Sequence, residues 1–268
     1  MAGNGNSIDE KRVFSERVGK TRVFVATEVG LVSVAVAGDA VGEFRLDRQG
    51  AVVDISCDGK RVAVATDQDV YLAKSEAVSR ETRPEAYEPT GFGPATGVDL
   101  GSDGLVAAGH GRVARFDGEW TTLGSIREVR TLDADVGLVA ARSGVHSLDG
   151  KHVGLENAFD VAVGPTIATN AGLYRLANGW VSSIGEPVRT VAIGDEAGFA
   201  GGEELYEQRG EGWVVADGFP TSERIADVAV GPATYVVTEP GTFLINDGDG
   251  WRKRSLGTPG VNAIAIRP

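Results

Sequence analysis

The chain of 268 residues contains a single cysteine, Cys57, so no internal disulfide and no cysteine-rich metal site can form. No apolar run approaches the ~18 residues that a membrane-spanning helix needs. The first dozen residues are polar and carry no apolar signal core, and no Asn-x-Ser/Thr sequon occurs. These absences together predict a cytoplasmic protein. Lysine is also scarce: six of the 26 basic residues are Lys and the rest are Arg, against 38 acidic residues and a net charge of −12. Excess carboxylate with little Lys and much Ala, Val and Gly points to a protein kept soluble at high salt, where surface repulsion is screened. A negative surface repels phosphate backbones, so neither nucleic acid nor anionic membrane is an expected partner.

What the sequence has in abundance is repetition. A short block recurs seven times: Val25-Ala-Thr-Glu28, Val64-Ala-Thr-Asp67, Ala107-Ala-Gly-His110, Val139-Ala-Ala-Arg142, Ile167-Ala-Thr-Asn170, Phe199-Ala-Gly-Gly202 and Val236-Val-Thr-Glu239. In most copies a turn glycine follows and opens a second strand, as in Gly30-Leu-Val and Gly172-Leu-Tyr. A second block lies upstream of the first and also recurs seven times: Asp54-Ile55, Asp99-Leu100, Thr131-Leu132, Asp160-Val161, Thr190-Val191, Asp227-Val228 and Ala263-Ile264. Its apolar anchors are spaced by 45, 32, 29, 30, 37 and 36 residues, which suits four short strands with their turns. All four Trp (120, 180, 213 and 251) follow glycine-bearing turns such as Asp117-Gly and Asn178-Gly. Each is expected to open an outermost strand and to pack between blades.

Each repeat therefore reads as strands A (Val-x-Asp-Val-Ala-Val), B (Val-Ala-Thr), C (Gly-Leu-Tyr-Arg) and D (Gly-Trp). The first blade begins at strand B, Thr21 to Thr27, with no strand A before it. The chain ends on a strand A, Val261 to Ile266, with nothing after it. The two fragments complete each other and remove two exposed sheet edges. The expected fold is all-β: a seven-bladed β-propeller of four-stranded blades, closed by the C-terminal strand. Residues 1–20 are expected to be a partly disordered tail, and residues 21–268 a single propeller domain.

The segments Ile8 to Val13, Glu88-Pro-Thr-Gly-Phe-Gly-Pro-Ala95 and Thr242 to Val261 together resemble an uncharacterised family of haloarchaeal β-propeller proteins of unknown function, over nearly the whole chain. The resemblance implies the propeller fold and a halophilic setting, and it brings no catalytic residues with it. More distantly, Gly172 to Trp180 looks like the blades of sensor-linked propellers and like Asp-box repeats, but no segment has the Ser-x-Asp-x-Gly-x-x-Trp that an Asp-box requires.

Motifs with a definite chemistry are missing. Gly19-Lys20-Thr21 lacks the first glycine of a phosphate loop, since Phe14 stands there. Asp247-Gly-Asp-Gly250 does not meet the spacing of a calcium loop. The histidines 110, 146 and 152 have no metal-ligand spacing. No basic group near Cys57 would activate it, and there is no Gly-x-Ser-x-Gly elbow.

In a propeller blade the D–A and B–C loops share one face, and loops on a rigid scaffold are where binding residues gather. On that face the ends of strand B place Glu28, Asp67, His110, Arg142, Asn170 and Glu239. The longest interval supplies a Pro/Gly-restricted loop, residues 83–97, that carries Tyr87 and Phe92 as recognition aromatics. These eight residues form the predicted binding face. The expected function is a non-enzymatic binding scaffold of a halophilic cytosol that docks a protein partner there and uses no cofactor. The alternative is a metal-assisted, lactonase-like hydrolase in which Asp54, Asp99, Asp160 and Asp227 hold a divalent cation such as Ca or Mg. A plainer role for these Asp residues is to tie down neighbouring turns through backbone N–H groups.

Overall fold

A computed structural model describes residues 20–74 and 86–267. They form seven four-stranded antiparallel sheets, and in six of them the four strands follow one another in sequence. In the remaining sheet the last strand, Val261–Arg267, pairs with Lys20–Thr27, which continues into Gly30–Ala37 and Ala40–Gln49. The expected closure is thus present. It pairs residues some 240 positions apart, in a register running from Arg22↔Arg267 to Thr27↔Val261. The expected tail over residues 1–20 and the first three residues of the 83–97 loop fall outside the described residues, apart from Lys20, which opens the first strand.

The core is divided into seven apolar clusters, one at each junction between neighbouring blades. The strand-B block explains this division. Successive strand residues point to opposite faces, so Val62 and Val64 face blade 1 while Ala63 and Ala65 face blade 3. In the same way Val23 and Val25 meet blade 7, and Phe24 and Ala26 meet blade 2. A strand buried on both faces reads as a continuous apolar run, and alternating large with small residues lets adjacent sheets interdigitate.

The block's final threonine has its own task. Thr27, Thr66 and Thr169 donate their hydroxyls to the carbonyl three residues on, at 2.7–2.8 Å, fixing the B–C turn. The glycine that opens strand C answers a second constraint: a Cβ on Gly30 would meet the Arg48 carbonyl, and one on Gly172 the Ile184 carbonyl, both at positive φ. Each Trp is half-buried at the edge of an inter-blade cluster. The indole N–H of Trp120 reaches the Thr90 carbonyl (3.0 Å), and that of Trp180 the Val153 carbonyl (3.3 Å), each in the preceding blade.

Candidate functional site

The seven A strands line the axis. In six of them the register shifts by one residue near the start, and the residue left over is Asn262, Val53, Arg130, Phe159, Arg189 or Ala226 for blades 1, 2, 4, 5, 6 and 7. Blade 3 has no such bulge. That difference corrects one alignment made from sequence. Asp54, Thr131, Asp160, Thr190, Asp227 and Ala263 follow the bulge and share one tier, but the blade 3 residue in that tier is Gly97, paired with Ala108 as Asp54 is with Ala65. Asp99 lies two residues further along, level with Ser56 and Asp133. A second slip concerns blade 6: Gly202 pairs with Val188 as Thr66 pairs with Val52, so the residue that ends the B block there is Glu203.

With the tiers aligned, one rule describes the carboxylates. Asp54 accepts its own following amide, Ile55 N–H (2.8 Å), and the equivalent amide of the next blade, Val98 N–H (2.9 Å). Asp160 does the same with Val161 and Val191, both at 2.8 Å. Asp227 accepts Val228 N–H (2.7 Å) and, across the closure, Ile264 N–H (2.8 Å), with the Thr190 hydroxyl adding a third bond. Asp99 repeats the device one tier down, taking Ala134 N–H (2.8 Å) and the Ser56 hydroxyl (2.7 Å). The Asp residues are therefore latches between the A strands of adjacent blades, not ties within the D–A turns.

Three junctions lack an Asp that reaches the next blade's amide; blades 6 and 7 are joined instead by the Thr190 hydroxyl donating to Asp227, and at the other two the bulge residue takes over. Asn262 donates to the Val52 carbonyl (2.8 Å), joining blades 1 and 2. Arg130 donates to the equivalent Ala158 carbonyl (2.9 Å) and to Asn157 Oδ1 (2.7 Å), joining blades 4 and 5. Sequence reasoning missed both, because a bulge adds one residue to a strand without leaving a composition signal.

Asp54, Asp99, Asp133, Asp160 and Asp227 border a cavity of about 290 Å³ on the axis. The side chains are half-buried, touching only the narrow lumen. Burial pushes Asp54 up to about 8, against the pull of its two amide donors, and the Asp227 and Asp99 charges add to the rise. Burial raises Asp160 as well, with the Asp227 charge second, and raises Asp227 and Asp99. The four residues proposed as cation ligands do reach the axis, but in two tiers, with oxygens already receiving N–H and O–H donors. Among the described residues no three His, Cys, Asp or Glu are placed to hold a metal ion together.

Glu28, Asp67, His110, Arg142, Asn170 and Glu239 are all exposed at the B–C turns of one face. His110 stands at φ 52°. Arg142 pairs loosely with Glu128 (3.4 Å), and Glu239 with Arg224 (3.7 Å). The two aromatics of the predicted recognition loop are elsewhere. Tyr87 and Phe92 are each 5 % exposed and belong to the clusters between blades 1 and 2 and between blades 2 and 3. Phe92 packs edge-on to Trp120 (4.7 Å) beneath the Arg112 guanidinium. The expectation that these rings face a partner is corrected: blade 2 has only Glu88–Pro89 as its outermost strand, and the loop folds inward to cover that gap. Asp69 anchors it by accepting Gly91 and Gly93 N–H, both at 3.0 Å.

A closed ring of four-stranded blades around a polar axis defines a seven-bladed β-propeller. The chain belongs to the HVO_0234-like beta-propeller family, whose family model matches residues 7–267. No curated protein is significantly similar in sequence. Among solved structures, the computationally designed Ika8 protein shares 13 % identity at a TM-score of 0.60, covering 92 % of this chain and 91 % of that one. Apo AztD from Citrobacter koseri shares 10 % identity at a TM-score of 0.52, with 92 % and 97 % covered. YCF48 bound to D1 peptide shares 11 % identity at a TM-score of 0.51, with 75 % and 81 % covered. These likenesses are of fold. No helix among the described residues is long and apolar enough to cross a membrane.

Proposed function

We propose that this propeller is a non-enzymatic scaffold of a halophilic cytosol that docks a protein partner on the face bearing the D–A and B–C loops. The fold supports a generic binding role. The observation that supports the docking face is the contrast between a repeated frame and a ring that varies: Glu28, Asp67, His110, Arg142, Asn170 and Glu239 occupy one structural position, all exposed, and the carboxylates of blades 1, 2 and 7 give way to His, Arg and Asn in blades 3, 4 and 5. The buried positions of the frame repeat from blade to blade, whereas this exposed position changes character across blades 3 to 5. YCF48 was solved with a peptide bound, but at this identity that likeness lends the present chain a fold and no partner.

Affinity capture at molar salt tests the reading, using the wild-type chain, a ring variant (Asp67→Arg with Arg142→Glu) and an opposite-face variant (Asp58→Arg with Asp249→Arg). The expected result is a partner held by the wild type and the opposite-face variant and lost by the ring variant. A partner lost only by the opposite-face variant would overturn the proposed face.

A further inference from the structure

At the rim of the axial channel the bulge residues of blades 4, 5 and 6 come together. The guanidinium carbon of Arg130 lies 4.2 Å from the Phe159 ring centroid and that of Arg189 lies 5.1 Å from it. Arg142, in the B–C turn of blade 4, is close enough that its charge and that of Arg189 both act on Arg130, whose pKa is lowered by burial first and by these two cations next. Among the described residues neither Arg130 nor Arg189 forms an ion pair. Glu128 is an acid that acts on Arg130, and it is shared loosely with Arg142. Three cations around one carboxylate, in a chain of net charge −12, are a local reversal of sign.

Resting on the docking face proposed above, we infer that this sector of the rim receives an acidic segment of the protein partner, with its carboxylates meeting Arg142 and Arg189 beside Phe159. Guanidinium forks suit carboxylates. Arg130 is already committed to the next blade through the Ala158 carbonyl and Asn157, so it holds the Phe159 ring in place, while Arg189, beyond stacking on that ring, makes no hydrogen bond or ion pair among the described residues. The site is open: the Arg142 side chain is 69 % exposed, Arg189 is exposed, and the three arginines stand outside the lining of the axial cavity. Small-molecule sites enclose their ligand. An open rim suits a group carried in by a larger surface. The negative remainder of the molecule repels such a segment at long range, but molar salt confines that repulsion to about 3 Å, which leaves direct contacts with the arginines.

The test is fluorescence anisotropy of labelled hexaglutamate with the full chain, beside hexalysine and hexaserine, at several salt concentrations. The expected result is saturable binding of hexaglutamate alone, weakening with salt, and weakened ~10-fold or more in the Arg142→Gln/Arg189→Gln variant. Neither residue donates to backbone, so the variant keeps the wild-type unfolding midpoint; Arg209→Gln, at the far end of a blade 6 strand, keeps wild-type affinity. No saturable binding, or an equal loss in Arg209→Gln, would overturn the inference. So would a partner that needs the ring face yet binds the Arg142→Gln/Arg189→Gln variant normally, and that last outcome leaves the docking face standing.

Discussion

The lumen and the rim are one residue apart on the same strands and have opposite character. Asp160 follows Phe159, and Thr190 follows Arg189, yet in this sector the lumen carboxylate is committed to amide donors while the rim is cationic and, at Arg189, uncommitted. The bulge produces this contrast. Doubling a residue against one partner lets one side chain stay in the lumen while its neighbour turns to the mouth. Side chains that satisfy the backbone obey a rule repeated around the ring; those that do not are free to vary. Asn262 and Arg130 are the informative exceptions, rim residues recruited to architecture where no Asp is present.

The contrast predicts a descending series of effects. Asp227→Ala removes the acceptor for Val228 N–H, Ile264 N–H and the Thr190 hydroxyl at the closure of the ring, and it should cost about 2–3 kcal/mol in urea unfolding, the scale of leaving buried donors unpaired. Loss below ~0.5 kcal/mol would mean that lumen water replaces the latch without penalty. The pH response comes next. The folded-state pKa of Asp54 is raised above its unfolded value, so the folded protein binds more protons between about 4 and about 8, and stability should fall as pH rises through that window. One such group contributes at most ~1.4 kcal/mol per pH unit. Unfolding curves from pH 5 to 8 that rise instead would show the amide donors outweighing burial.

Asn262→Ala removes one bond, to the Val52 carbonyl, and should cost about 1 kcal/mol by thermal unfolding. A null result there would place the blade 1–2 junction in its apolar cluster alone. Smallest of all, Arg189→Gln should change stability by no more than ~0.5 kcal/mol, as a surface change away from any packed feature does. A larger loss would make Arg189 part of the architecture and blur the line between lumen and rim.

The blade count, the four strands per blade and the C-terminal closure were all legible in the chain, because buried strands repeat their apolar pattern and the incomplete end blades are complementary. The outward B–C ring was legible in six blades, where it sits at a constant offset from that pattern, and slipped by one residue in blade 6. The lumen was only partly so. Asp99 looked equivalent to Asp54 because both precede an apolar anchor, and only strand pairing shows that blade 3 lacks the bulge and drops Asp99 one tier. Tyr87 and Phe92 misled for a related reason. Aromatics in a long Pro/Gly loop suit recognition, but the short outer strand of blade 2 left a gap that they fill.

The sequence by itself determined the periodicity: which residues are strand, how many blades close, and where the ends meet. Those follow from local alternation, which is written residue by residue. Tertiary structure alone decided what each axial side chain does. A hydrogen bond such as Asp54 to Val98, or the meeting of Arg130, Phe159 and Arg189, joins different blades at a distance set by bulges and ring closure, and no local pattern carries that information.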